Sequence, residues 1–276
     1  MTFVSAVLLG AIQGFSEFFP ISSSAHLSIV QNFLRIGIGE DQLLFDVMLH
    51  LGTLAAVLAA FWPDVKSLVT EGCRMFHITH QPRGTKPDRM QRRLIWFLIF
   101  ASLPLILVAF FHNSVETLYS NTFFIGFALL LTGTLLFFAD RLGHGNKNVK
   151  NATLGDTLLV GLAQMLAVIP GLSRSGMTIG TGLFCGLDRE FAVKFSFLLS
   201  IPAVIGAGIF TLADAISAGI VFSEFPLYLA GMVTAFITGY IAIYALRMMM
   251  QRSHFGGFAY YCWGAGLITL ILSLIA

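Results

Sequence analysis

Charge is scarce in this chain. Asp, Glu, Lys and Arg make up 11% of its 276 residues, against about 25% in soluble domains. Hydrophobic residues make up 57% and mean hydropathy is +0.84, so the composition is that of an integral membrane protein. A basic surplus is missing too: the formal net charge of +2 is too small to suggest nucleic acid, and none is expected as a partner. Cysteine is nearly absent. Cys73, Cys185 and Cys262 are widely spaced and read as small apolar residues rather than a disulfide or a thiolate metal site. The first residues lack the basic start and small-residue cleavage site of a secretory signal, and Glu17 interrupts the apolar run, so 1–34 reads as mature protein.

What is plentiful is long apolar sequence. Crossing about 30 Å of hydrocarbon takes about 20 apolar residues. Six stretches reach that length: 43–62, 94–112, 121–140, 191–213, 226–247 and 255–276. Two more, 1–34 and 153–186, are interrupted by proline and hydroxyl residues around Pro20 and Pro170. Proline removes a backbone donor and clashes with the preceding turn, and neither stretch can cross twice. Each is expected to be a re-entrant helix–break–helix. Gly206, Ala207 and Gly208 permit close helix packing, inside the chain or in a homodimer.

Alternating the spans places 14 of the 16 basic residues on one face, with Arg35 on the other and Arg174 within the membrane. The crowded face is then cytoplasmic, and both termini, loop 113–120 and loop 214–225 lie outside. The element order also repeats: the expectation is one membrane domain, 1–276, with halves 1–140 and 153–276. At an offset of 150, Pro20 falls on Pro170, Ser23 on Ser173, Phe45 on Phe195 and Leu49 on Leu199. Three spans per half is an odd number, so the second half is inverted. Broken helices in inverted repeats bring a site together near mid-membrane, a trait shared with secondary transporters, and a carrier for a lipid phosphate or anion is the rival reading.

Ionisable groups at membrane depth cost about 2.5–3.5 kcal/mol each on insertion scales and mark function. A helix restarting after each break offers unpaired N–H groups to an anion. Ser22, Ser23 and Ser24 suit that position, as do Ser173 and Ser175, either as phosphate ligands or simply as helix caps. Arg174 carries the planar fork suited to phosphate, or forms an ion pair with Glu17 that opens for substrate. His26 follows Ser22 and Ser23 by one helical turn and can take a proton or attack phosphorus. Gln13 and Glu17 share a face, and their oxygens suit Mg²⁺ or Ca²⁺ bound jointly with phosphates. His50, one turn after Asp46, lines the same cavity or forms a polar pair. His77, His80, His112, His144 and His254 read as interfacial.

Gln13-x-x-x-Glu17, then Pro20-Ile21-Ser22-Ser23-Ser24-Ala25-His26, and Pro170-Gly171-Leu172-Ser173-Arg174-Ser175-Gly176-Met177-Thr178 together resemble the undecaprenyl-diphosphatase (bacitracin-resistance) family of bacterial inner membranes. The resemblance covers essentially the whole chain. It implies metal-dependent hydrolysis of a polyprenyl diphosphate, recycling the lipid carrier of cell-wall synthesis; the head is expected to enter the meeting point of the two breaks from the outer side. By position, Glu17 resembles the metal-linked acid, with Gln13 as the other candidate ligand. Ser23 and His26 resemble the nucleophile region, Arg174 the diphosphate binder, and Ser173, Ser175 and Thr178 the rest of the second motif.

Overall fold

The computed structural model describes residues 1–34, 42–76, 78, 87–108, 121–218, 224–251 and 255–275. Arg35, Arg83, Lys86, Arg252, loop 113–120, residues 219–223 of loop 214–225, and His77, His80, His112 and His254 fall outside these residues.

The described chain is helical. Its elements are α1 (Phe3–Phe18), α2 (Ser23–Leu34), α3 (Gln42–Ala60), α4 (Trp62–Met75), α5 (Arg89–Ser102) and α6 (Leu105–Val108). Then follow α7 (Thr122–Leu142), α8 (Leu154–Leu166), α9 (Arg174–Phe184), α10 (Arg189–Ala218), α11 (Phe225–Gln251) and α12 (Gly257–Ile275). Local chemistry explains many of the ends. Thr2 caps α1 through the Ser5 N–H, Asp88 caps α5, and Thr153 and Asp156 form a reciprocal capping box on α8. Pro20, Pro104 and Pro170 stand in breaks, where a missing donor is tolerated.

Among the described residues, five segments are long and apolar enough to cross a membrane: Arg89–Val108, Thr122–Leu142, Arg189–Ile209, Phe225–Gln251 and Gly257–Leu274. A sixth is formed if the bent pair Leu44–Ala60 and Trp62–Met75 counts as one. α1 has 16 residues and α8 has 13. At 1.5 Å per residue they span about 24 and 20 Å, too little to cross alone. The outer surface is apolar: Phe123, Phe127, Leu131 and Phe138 of α7 are each about half exposed, which suits contact with hydrocarbon. The segment expected to be a loop after residue 62 is instead α4, which turns 86° from α3. Pro63 opens it, and it carries Asp64, Lys66, Glu71 and Arg74, the disposition of a helix at the membrane surface.

Small residues bring the site helices together. α1 lies against α11. A Cβ on Gly10 would stand 2.4 Å from the Gly231 carbonyl oxygen, and one on Gly14 would stand 2.6 Å from that of Ala235. α12 packs on α7 in the same way, through Gly126, Gly133 and Gly266. The expectation that Gly206 and Gly208 serve packing within the chain is corrected: a Cβ on either meets nothing within 4 Å. Behind the first break, Phe18, Phe61 and Phe197 form an edge-on aromatic cluster with centroids 5.4 and 5.9 Å apart. It fixes the end of α1, where Glu17 sits.

Candidate active site

The two breaks interlock. Ser24 Oγ accepts from the Gly171 N–H at 3.4 Å, and Ser175 Oγ donates to the Phe19 carbonyl at 3.2 Å. Each break therefore satisfies a backbone group that the other leaves open, as a low-dielectric interior requires. Both turns use left-handed backbone. Gly171 has φ +94° and Ser22 has φ +71°, a conformation that costs a residue with a Cβ about 1–2 kcal/mol. Strain held at such a tip accompanies functional geometry.

Each break restarts as a serine-capped helix. Ser22 Oγ accepts from the Ala25 N–H at 3.3 Å, and Ser173 Oγ accepts from the Gly176 N–H at 3.1 Å. The capping pair Ser22 and Ser173 stands one position out of the register that aligns Pro20 with Pro170. The counterpart of Ser23 is therefore Arg174 rather than Ser173: each is the first residue of its helix. The two side chains with the strongest claim to chemistry occupy equivalent places.

Both converge on Glu17, which is only 8% exposed. Arg174 Nη2 donates to Glu17 Oε1 at 2.5 Å, while Ser23 Oγ donates to Oε2 at 2.6 Å and Gln13 Nε2 to the same oxygen at 3.1 Å. A serine hydroxyl donating to a carboxylate is arranged to lose its proton there. The Arg174–Glu17 pair foreseen from sequence is present and spans the two breaks.

His26 lies beside this cluster and makes different bonds. Its Nδ1 is 2.7 Å from the Ser22 carbonyl and its Nε2 is 2.8 Å from the Tyr261 hydroxyl. Of the two serines that helical spacing pairs with it, Ser22 meets it through its carbonyl and Ser23 bonds Glu17 instead. Ser22 and Ser24 are bonded to each other at 3.2 Å, as are Ser173 and Ser175. Thr178 Oγ1 donates to the Arg174 carbonyl at 2.8 Å and meets Ser196 Oγ at 2.6 Å. In the second break the hydroxyls thus build the turn that presents Arg174. His50 bonds the Asp46 carbonyl oxygen at 2.8 Å. His144 is exposed beyond the end of α7.

Three neighbours escaped the sequence reading. Thr132 of α7 accepts from the Ser173 N–H at 3.2 Å, Ser196 of α10 supports Thr178, and Tyr261 of α12 holds His26. Each is an isolated polar residue inside an apolar span, and no spacing connects it to either motif.

Among the described residues, no group of three or more His, Cys, Asp or Glu is placed to hold a metal ion. Gln13 Oε1 is buried and has no hydrogen-bond partner. One carboxylate and one spare amide oxygen form a partial, hard-oxygen donor set, which fits Mg²⁺ or Ca²⁺ only with phosphate oxygens completing the shell.

Fold and site together define a polytopic helical membrane protein whose buried carboxylate, hydroxyl and guanidinium meet between two broken helices. The sequence profile of "Bacitracin resistance protein BacA" matches residues 6–268. The undecaprenyl-diphosphatase of Methanosphaera stadtmanae is 40% identical over 283 positions, covering 99% of this chain and 98% of that protein. The undecaprenyl-diphosphatase of Methanobrevibacter smithii is 40% identical over 278 positions, and that of Alkaliphilus metalliredigens 38% over 277, each covering at least 99% of both chains. The chain belongs to the BacA bacitracin resistance family.

Proposed function

We propose that this protein hydrolyses undecaprenyl diphosphate to undecaprenyl phosphate and inorganic phosphate, recycling the lipid carrier of cell-wall synthesis. The observation that carries the reading is the convergence of Ser23 and Arg174, from separate breaks, on the two oxygens of Glu17. Full-length similarity to undecaprenyl-diphosphatases supports it.

The geometry supports the following steps. The diphosphate draws the Arg174 guanidinium off Glu17 and onto its oxygens, a bidentate match. First-turn amides of α2 and α9, beginning at Ser23 and Arg174, point at the same charge, because the opening N–H groups of a helix lack intrahelical partners. Ser22, Ser24, Ser173, Ser175 and Thr178 hold the two turns. Glu17, relieved of Arg174, takes the Ser23 proton. Ser23 Oγ then bonds to the terminal phosphorus as the bridging P–O bond breaks, and undecaprenyl phosphate leaves. Water, its proton taken by His26 Nε2, cleaves the phosphoserine to release phosphate. Glu17 and Gln13 would hold a divalent cation together with the diphosphate; when bound, it supplies neutralising charge. In phosphoryl transfer, fixed charge already in place around the reacting phosphate usually lowers the barrier more than any other single effect.

The architecture we infer is an inverted repeat, 1–140 and 153–276, with α1–α2 and α8–α9 as re-entrant pairs. Packing supports it reciprocally. α1 lies on α11 while α8 lies on α5, the corresponding helix of the other half, and α3–α10 and α7–α12 pair counterparts with each other. Gln13 and Gln164 correspond in the register that pairs Ser23 with Arg174. Both are fully buried, and each has an amide oxygen without a partner. The basic face is cytoplasmic, the membrane is the bacterial inner membrane, and the site opens outward, with the polyprenyl tail between spans. The experiment is phosphate release from undecaprenyl diphosphate by purified protein, with Mg²⁺ or Ca²⁺ and after chelation. No release in any condition rejects the assignment.

A further inference from the structure

His26 is held on two sides. A carbonyl oxygen can only accept, so the 2.7 Å contact with Ser22 means that Nδ1 carries the proton. In the neutral ring Nε2 is therefore the bare nitrogen, and Tyr261 donates to it at 2.8 Å. The two rings are also stacked, with centroids 5.6 Å apart and planes within 14°. The next residue along, Cys262, approaches the Pro20 carbonyl with its sulfur at 3.6 Å. Successive residues of α12 thus grip the first break, and the α7–α12 packing at Gly126 and Gly133 fixes where they stand. On the other side, the left-handed backbone of Ser22 turns its carbonyl toward Nδ1. Tyr261 is 48% exposed, so its hydroxyl is not sealed in a core.

We propose that Tyr261 is a positioning residue for the reaction: it sets the ring plane of His26 and holds Nε2 as the working nitrogen until the attacking water takes the place of its hydroxyl. The inference rests on the phosphatase reading with His26 as the proton acceptor. The stack limits ring rotation, the Ser22 carbonyl selects the tautomer, and the phenol keeps the free nitrogen directed away from competing donors. A ring without these constraints samples orientations in which Nε2 faces no substrate, which lowers turnover without weakening capture of the diphosphate.

The test compares wild type, Tyr261→Phe and Tyr261→Ala on undecaprenyl diphosphate, with the pH dependence of kcat and thermal melting of the same preparations. Phosphate release by wild type is the control on which the phosphatase reading stands or falls by itself. With that control active, Tyr261→Phe is expected to keep KM within about twofold and to lower kcat at least about tenfold. Its melting temperature should be unchanged and its pH profile displaced, since the hydroxyl touches the titrating nitrogen. Tyr261→Ala, which also loses the stack, should fall further. A Tyr261→Phe enzyme with wild-type kcat and pH profile overturns the proposal. So does a loss of turnover explained by a lower melting temperature with the pH profile unmoved.

Discussion

Separating the Arg174–Glu17 pair should have opposite consequences for stability and activity depending on how it is done. Glu17 is 8% exposed, and its partners are Arg174 at 2.5 Å, Ser23 at 2.6 Å and Gln13 at 3.1 Å. Arg174→Met leaves a buried carboxylate facing two neutral donors, and losing one member of such a pair costs about 3–5 kcal/mol. Glu17→Gln leaves the guanidinium unpaired instead, in a side chain 21% exposed to solvent, so it should cost less. The double variant Glu17→Gln/Arg174→Met removes both charges and should recover most of the stability lost in Arg174→Met, because the desolvation penalty goes with them. Activity should not recover. Removing one donor to transition-state charge lowers turnover by about 10²–10³, and the double variant lacks both the proposed phosphate fork and the proposed proton acceptor. Thermal melting in detergent alongside phosphate release reads the two effects separately. A double variant no more stable than Arg174→Met would show that the two residues are not energetically paired. One that regained turnover would show that neither takes part in the reaction.

Further predictions concern the parts that hold the site. Gly14→Leu should prevent α1 from seating on α11, because even its Cβ would lie 2.6 Å from the Ala235 carbonyl oxygen; overpacking costs about 1–3 kcal/mol or more. Gly206→Ala, inside α10 with nothing within 4 Å, should be neutral or stabilising by up to about 1 kcal/mol, and melting curves compare the two. At the first break, Ser22→Ala loses the cap but keeps the strain at φ +71°, whereas Ser22→Gly relieves it. Glycine should therefore be the more stable replacement by about 1 kcal/mol. At the membrane surface, the hydrogen bond from Arg92 at 2.7 Å holds the Glu71 carboxyl below its ordinary value of 4.5. A lowered folded value stabilises above the ordinary value and is lost as pH falls through the folded one. The advantage of wild type over Glu71→Gln in melting temperature should thus shrink on acidification below 4.5; an advantage constant with pH would contradict the pairing.

Much of the candidate site was legible because membranes penalise polarity. Glu17, Arg174 and the two serine-rich breaks stand out against hydrocarbon, and prolines mark where the helices stop. The pairing of Glu17 with Arg174 followed from the same cost. The partner of Ser23 did not: one-turn spacing pointed to His26, whereas the strained turn at Ser22 sends the imidazole to a carbonyl and a distant phenol. Tyr261, Thr132 and Ser196 were invisible for a related reason, since one hydroxyl in a long apolar helix is indistinguishable from one that bonds its own preceding turn, as Thr134 and Thr234 do. α4 was hidden by its charge, which reads as a loop until its polar and apolar faces are placed on a helix. Glycines mark potential close approach, but which of them are used depends on tertiary contact: Gly10 and Gly14 meet a neighbour while Gly206 and Gly208 do not.

The account turns on one phosphate being grasped by both broken helices at once. A structure with a non-hydrolysable polyprenyl diphosphate analogue measures this directly. Its terminal phosphate oxygens should lie within hydrogen-bonding reach, about 3.2 Å, of both Ser23 Oγ and the Arg174 guanidinium, with the Arg174–Glu17 contact opened. A headgroup bound to one break alone, with that ion pair intact, would contradict it.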